Sequence, residues 1–274
     1  MDVSQPYELL VRTDAHELWS RIDDAAARYR DLATSVDDSL PLRASSWCAR
    51  DVTGHLLTVL RRYTNREVSG SSGLAPTPRG VDELNAAELA ALAGMGTDQL
   101  LADIAIELKT IREVFGPDAV DLHMTVPFHA GATVDIAAGL ANLVGEFLVH
   151  GWDVARAAGR AWPIAEVDAR LVLNGVVQML PNYVKRDARG ALAIRLNLPD
   201  ARPWLLDIRD GSGVSRPWRP GDRVDAVLRA PASTMVLAMY GRISLGSATR
   251  HGLRVVGGRR PWRSITLPSL IERP

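Results

Sequence analysis

A single cysteine, Cys48, stands in 274 residues, which excludes an internal disulfide framework and any cysteine-based zinc knuckle. Charged residues interrupt every apolar run well short of the roughly 18 residues that a membrane span needs. Lysine is almost absent: Lys109 and Lys185 stand against 30 arginines, a skew we attribute to GC-rich coding. No basic helix interleaved with aromatics is present, so nucleic acid is not expected as a partner. The first 30 residues carry Asp2, Glu8, Asp14 and Glu17 in place of a basic and then apolar signal pattern, and the expectation is a cytoplasmic protein without membrane association. Internal repeats and low-complexity tracts are also missing.

What is present divides the chain. Residues 1–159 hold 13 Lys+Arg and 23 Asp+Glu, a net of −10, while residues 160–274 hold 19 and 9, a net of +10. The length suffices for one or two cores. Opposed halves fit two domains that dock face to face, the basic one open to an anionic ligand, and equally fit two solvated surfaces with no shared role.

Helical spacing predicts a first helix over 7–35, with Leu10, Leu18, Ile22, Ala26 and Tyr29 on one face. A second helix is expected over 47–68, with Ser45 or Ser46 as its N-cap. A Gly/Ser/Pro-rich loop follows over 69–80, then a short helix over 83–93 and a longer one over 98–115. The stretch 125–133 reads as an irregular turn, and a further helix is expected over 135–158. Four helices joined by loops make a bundle the simplest architecture for residues 1–158. Beyond Gly159 a helix over 166–184, short strands at 192–196, 204–208 and 224–228, a helix from Pro231 to Tyr240 and a final strand describe a small α+β domain over 159–274.

Two segments carry candidate chemistry. Trp47, Asp51 and His55 recur at helical spacing, and Glu146, His150 and Asp153 do so about ninety residues later. Glu146 and His150, four apart, share one helical face. With His55 they amount to two imidazoles and a carboxylate, the ligand set of an open zinc site. Taken alone, Glu-x3-His on a helix also suits packed or surface residues. Asp51 either orients His55 or favours the positive end of its helix, and Asp153 is placed to support His150. Trp47 and Trp152 read as core or pocket walls, and Cys48 as packing. His16, His123, His129 and His251 have no partner at metal spacing; His123 and His129 fall in the loop before the last bundle helix, where either could line a pocket entrance, and a solvated position is the simpler reading.

The stretches 46–56 (SWCARDVTGHL) and 145–159 (GEFLVHGWDVARAAG) resemble the signature segments of the mycothiol-dependent maleylpyruvate isomerase family. Val126-Pro127-Phe128 fits as well, and 225–242 (DAVLRAPASTMVLAMYGR) is similar to the end of that family's C-terminal domain. The resemblance implies an α+β protein with a DinB-like four-helix bundle followed by a sterol-carrier-like domain. It implies zinc or another divalent metal on His55, Glu146 and His150, mycothiol as thiol cofactor or cosubstrate, and Arg242 as the arginine used in isomerisation. Metal-coordinated thiols ionise near neutral pH, and a thiolate adds reversibly to a double bond in an isomerase or stays on carbon in an S-transferase. The substrate class expected is a small anionic electrophile, its carboxylate held by the planar fork of Arg242. Two other readings stand beside this one: a binding module whose sterol-carrier-like domain shelters an apolar ligand while the bundle is a scaffold with a weak or lost metal site, and a zinc-dependent hydrolase that uses the same ligands without a thiol.

Overall fold

The computed structural model describes residues 9–43, 45–64 and 73–272. The expected helical positions 7–8 and 65–68, and loop positions 69–72, lie outside the described residues. Helix α1 (Ala15–Ala33) begins later than the spacing indicated, because the Asp14 side chain accepts the Glu17 N–H at 2.8 Å and caps it there. Its buried face carries Leu18, Ile22, Ala25 and Tyr29. Helix α2 (Ala49–Tyr63) is capped at Cys48 rather than at Ser45 or Ser46: the Cys48 N–H donates to Asp51 Oδ2 at 3.0 Å. This settles Asp51 as a helix-start residue; it does not reach His55.

Helix α3 (Pro78–Ala91) starts five positions before the expected 83, since Thr77 accepts the Gly80 N–H at 3.2 Å and Pro78 suits the first helical position. Helix α4 (Thr97–Phe115) lies against α2. Where an irregular turn was expected, strands β1 (Thr125–Pro127) and β2 (Thr133–Asp135) pair antiparallel around a short turn in which Ala130 has φ 57°. Helix α5 (Ile136–Ala157) follows, its start fixed by Asp135, whose carboxylate accepts the Ala138 N–H at 2.6 Å. Helices α1, α2, α4 and α5 pack on one another, and α5 is buried on most of its circumference because α6 (Glu166–Met179) covers its other side. A Cβ on Gly175 of α6 would lie 2.9 Å from the Ala138 carbonyl oxygen, so this glycine permits the close α5/α6 crossing.

The second half is a five-stranded sheet in the order β5-β4-β3-β6-β7, formed by β3 (Ala191–Asn197), β4 (Trp204–Arg209), β5 (Ser212–Pro217), β6 (Ala226–Arg229) and β7 (Arg254–Gly257). Only β3 and β6 are parallel; the other neighbours are antiparallel. The fold is α+β, as expected. Strand β5 was missed, although Asp210-Gly211, both at positive φ, is the hairpin signal between β4 and β5. One buried apolar cluster runs from Leu10 to Val236, through helices and sheet alike. Helix α7 (Ala232–Met239) is tied to α6 by Glu166, whose carboxylate accepts the N–H groups of Ala232 and Ser233 at 2.7 and 3.1 Å. At its other end Gly241 has φ 70°, and the N–H groups of Gly241 and Arg242 return to the carbonyls of Ala238 and Leu237. That left-handed cap fixes the direction in which Arg242 leaves the helix. Among the described residues no helix is long and apolar enough to cross a membrane.

Candidate metal centre

Three of the residues singled out from the sequence converge. His55 comes from α2, and Glu146 and His150 from successive turns of α5; one potential ligand atom from each lies within 4.8 Å of the others. Glu146 Oε2 is 3.7 Å from His55 Nε2 and 3.3 Å from His150 Nε2. Two ligands bound to one tetrahedral ion at zinc bond lengths stand roughly 3.4 Å apart, so the donor set fits a divalent cation. The Nδ1 atoms of both histidines are buried without a hydrogen bond. His150 Nδ1 has Asp153 Oδ2 at 3.6 Å, one turn further along α5, and Asn142 Nδ2 donates to the other Glu146 oxygen at 3.2 Å. Trp47 closes one side, its ring 5.0 Å from that of His55 and 6.3 Å from that of His150.

Charge at this cluster is strongly ordered. Burial pushes His55 down to about 4, against the pull of Glu146, and it is neutral at physiological pH. For Glu146 burial favours the acid, yet hydrogen bonds from His150 and His55, together with the charged form of His150, outweigh it and hold the carboxyl well below the ordinary value. Burial likewise opposes charge on His150, but Asp153 and Glu146 together raise its pKa. Asp153 is lowered despite burial, because His150 and Arg242 face it. Glu146 and Asp153, both held low, thus alternate with His150, whose charged form they favour, and with Arg242.

Arg242 therefore reaches the cluster from the far half of the chain. Its Nε donates to both oxygens of Asp153 at 3.1 Å, its Nη2 donates to Oδ2 at 2.8 Å, and its Nη1 donates to the Tyr240 carbonyl at 2.7 Å. A guanidinium has five N–H groups, so one on each terminal nitrogen is left. Cluster and arginine share a cavity of about 860 Å³, whose wall also includes Trp47, Trp152, Tyr63, Tyr183 and Tyr240.

Sequence reasoning missed a second polar group on that wall. Arg62 is paired with Glu88 of α3, both buried, and its Nη2 also donates to Asn85 Oδ1 at 2.7 Å. His129, expected to be solvated, lines the cavity beside them, with the Ala75 N–H 3.4 Å from Nδ1 and Arg62 Nη1 3.5 Å from Nε2. His123 is exposed, as expected. No spacing rule links residues 62, 85, 88 and 129, because they come from α2, α3 and a turn. Burial first, then Arg62, lowers His129 to about 4. The unfolded chain takes up this proton below about 6.5 and the folded chain does not, so stability falls as pH drops from 6.5 toward 4. For one partly exposed histidine the slope is at most about 1 kcal/mol per pH unit. Urea unfolding of metal-free protein at pH 5 and 7 should show a smaller acid loss in His129→Gln than in wild type. Identical losses would mean that His129 takes up its proton freely in the folded state.

No protein-family model matches the chain, and no curated protein matches it. Solved structures do match, among them two of an isomerase. The crystal structure of the mycothiol-dependent maleylpyruvate isomerase superposes with a TM-score of 0.51 at 15% identity, covering 96% of this chain and 100% of that one. A histidine-to-alanine mutant of that isomerase gives 0.51 at 14% identity with the same coverage. At this identity the likeness establishes the fold.

Proposed function

We propose that the protein is a metal-dependent enzyme that uses mycothiol, an isomerase or thiol S-transferase acting on a small anionic electrophile. In this reading His55, Glu146 and His150 hold zinc or another divalent cation, residues 1–158 and 159–274 act as two domains, and the site of action is the cytoplasm. The observation that carries it is the convergence of three ligand atoms within 4.8 Å on the wall of a cavity that Arg242 also lines. When bound, the cation supplies the positive charge that lets a thiol lose its proton near neutral pH.

The chain's own groups do the rest. Asp153, 3.6 Å from His150 Nδ1, is placed to orient the ring whose Nε2 faces Glu146. Trp47 and Trp152 supply apolar wall to the cavity, Trp47 beside the rings of His55 and His150. Arg242, clamped by Asp153, presents its two remaining N–H groups for a substrate carboxylate. Small thiol and small anion are the partners this arrangement accepts; the isomerase option is supported by the shared fold.

Purified protein should contain close to stoichiometric divalent metal and should isomerise maleylpyruvate only when mycothiol is added. Metal-replete protein that is inert with both would overturn the isomerase option and leave S-transfer. Turnover independent of any added thiol would favour hydrolysis, and failure to bind metal would overturn the proposal as a whole.

A further inference from the structure

Three tyrosines line the cavity, and they differ in one respect. Tyr63 Oη donates to the Gly139 carbonyl at 2.7 Å. The hydroxyls of Tyr183, in the turn after α6, and Tyr240, at the end of α7, have no hydrogen-bond partner among the described residues. Both residues are half-buried, so these hydroxyls face the cavity uncommitted to a protein acceptor.

Their placement is specific. A Cβ built on Gly145 would lie 3.7 Å from Tyr240 Oη, so that hydroxyl reaches the backbone of α5 immediately before Glu146. The tight neighbour of Gly145 is Val172 of α6, 3.0 Å from such a Cβ, so the glycine serves the α5/α6 packing while the hydroxyl lies at ordinary contact distance. Tyr183 lines the same cavity and contributes to the electrostatic environment of Tyr240, and both feel the charge of Glu146. Burial first and Glu146 second keep the two phenols protonated, Tyr183 being raised to about 12. The positive charge of Arg242, two residues on, acts on Tyr240 in the opposite sense. Two neutral O–H donors thus face one cavity beside a candidate cation site, from elements that the Glu166 tie and the left-handed cap hold in place.

We propose that Tyr183 and Tyr240 form a two-donor oxyanion subsite that binds a carboxylate or enolate oxygen of the substrate next to the His55/Glu146/His150 cluster. The proposal rests on the functional reading above only for the chemistry performed there; anion binding by the hydroxyls stands or falls by itself. Both donors act by hydrogen bonding, and no proton leaves either phenol. Such donors stabilise an oxygen as charge develops on it without having to reorient.

The test uses maleate, a small dicarboxylate, titrated by calorimetry into the metal-free and zinc-treated full chain at pH 7. Tyr240→Phe should weaken maleate binding about 10-fold, and the Tyr183→Phe/Tyr240→Phe pair about 100-fold, the range for hydrogen bonds to a charged group. Zinc affinity and the thermal midpoint should stay at wild-type values, because neither hydroxyl holds the fold or the ions. Equal maleate affinity in wild type and the double variant would overturn the subsite, as would wild-type protein that binds no maleate in either form. If zinc fails to bind while the tyrosine variants still weaken maleate, the metal enzyme reading falls and the subsite remains.

Discussion

His55→Ala, Glu146→Gln and His150→Ala are each expected to abolish the thermal stabilisation that zinc gives the wild-type protein. A ligand that binds only the folded state adds RT ln(1 + [L]/Kd), about 4 kcal/mol at a thousandfold excess over Kd. Outer-shell changes alone cost metal sites about 10- to 100-fold in affinity, so loss of one of three direct ligands should cost more than about 100-fold. The variants should differ in the absence of metal. Glu146 is the carboxylate between two imidazoles, and its neutral replacement removes the counter-charge that raises His150. His55 is neutral and only 5% exposed, so its truncation leaves a void beside Trp47 and a modest packing loss. Differential scanning fluorimetry with and without zinc, and after chelation, reads both effects. A zinc-dependent shift that survives in all three variants would place the ion elsewhere.

Arg242→Met should reduce both stability and turnover. The change strands the Asp153 carboxylate, which is 12% exposed and loses its bidentate partner. Breaking a fully buried pair costs about 3–5 kcal/mol; with the arginine side chain 22% exposed, about 2 kcal/mol is the expected loss. His150 then has an unpaired carboxylate at its Nδ1, and the displaced imidazole and lost substrate contact should lower turnover by more than about 100-fold. Asp153→Asn should weaken zinc binding about 10- to 100-fold with a smaller stability loss. The double variant Arg242→Met/Asp153→Asn should be less damaged than the sum of the two, the signature of a coupled pair. Unchanged stability and metal affinity in Arg242→Met, with turnover lost, would show instead that the arginine acts on substrate alone.

The candidate cluster of His55, Glu146 and His150 could be picked out because its parts sit on two helices whose spacing is visible in sequence, and the resemblance of the two segments joined them. Glu146, His150 and Asp153 fall on one face of α5, and α2 and α5 pack together. Starts of helices were less legible. The spacing of 7–35 does not reveal that Asp14 caps α1, and two serines before α2 compete on paper with the Cys48–Asp51 pair that caps it. Arg242 could be named from its segment, but its grip on Asp153 depends on the α6–α7 tie through Glu166 and on the cap at Gly241. The polar group of Arg62, Asn85, Glu88 and His129, and the hydroxyls of Tyr183 and Tyr240, were invisible for the same reason. Each is assembled from elements far apart in sequence, and no single periodicity spans them.

Anomalous diffraction at the zinc edge, from crystals of the zinc-loaded protein, tests the central claim most directly. One strong peak is expected between His55 Nε2, Glu146 Oε2 and His150 Nε2, at bond lengths of about 2.0–2.2 Å, with a coordination position open to the cavity. A peak at any other group of residues, or crystals that bind no zinc while these three side chains stay as close as they are here, would contradict it.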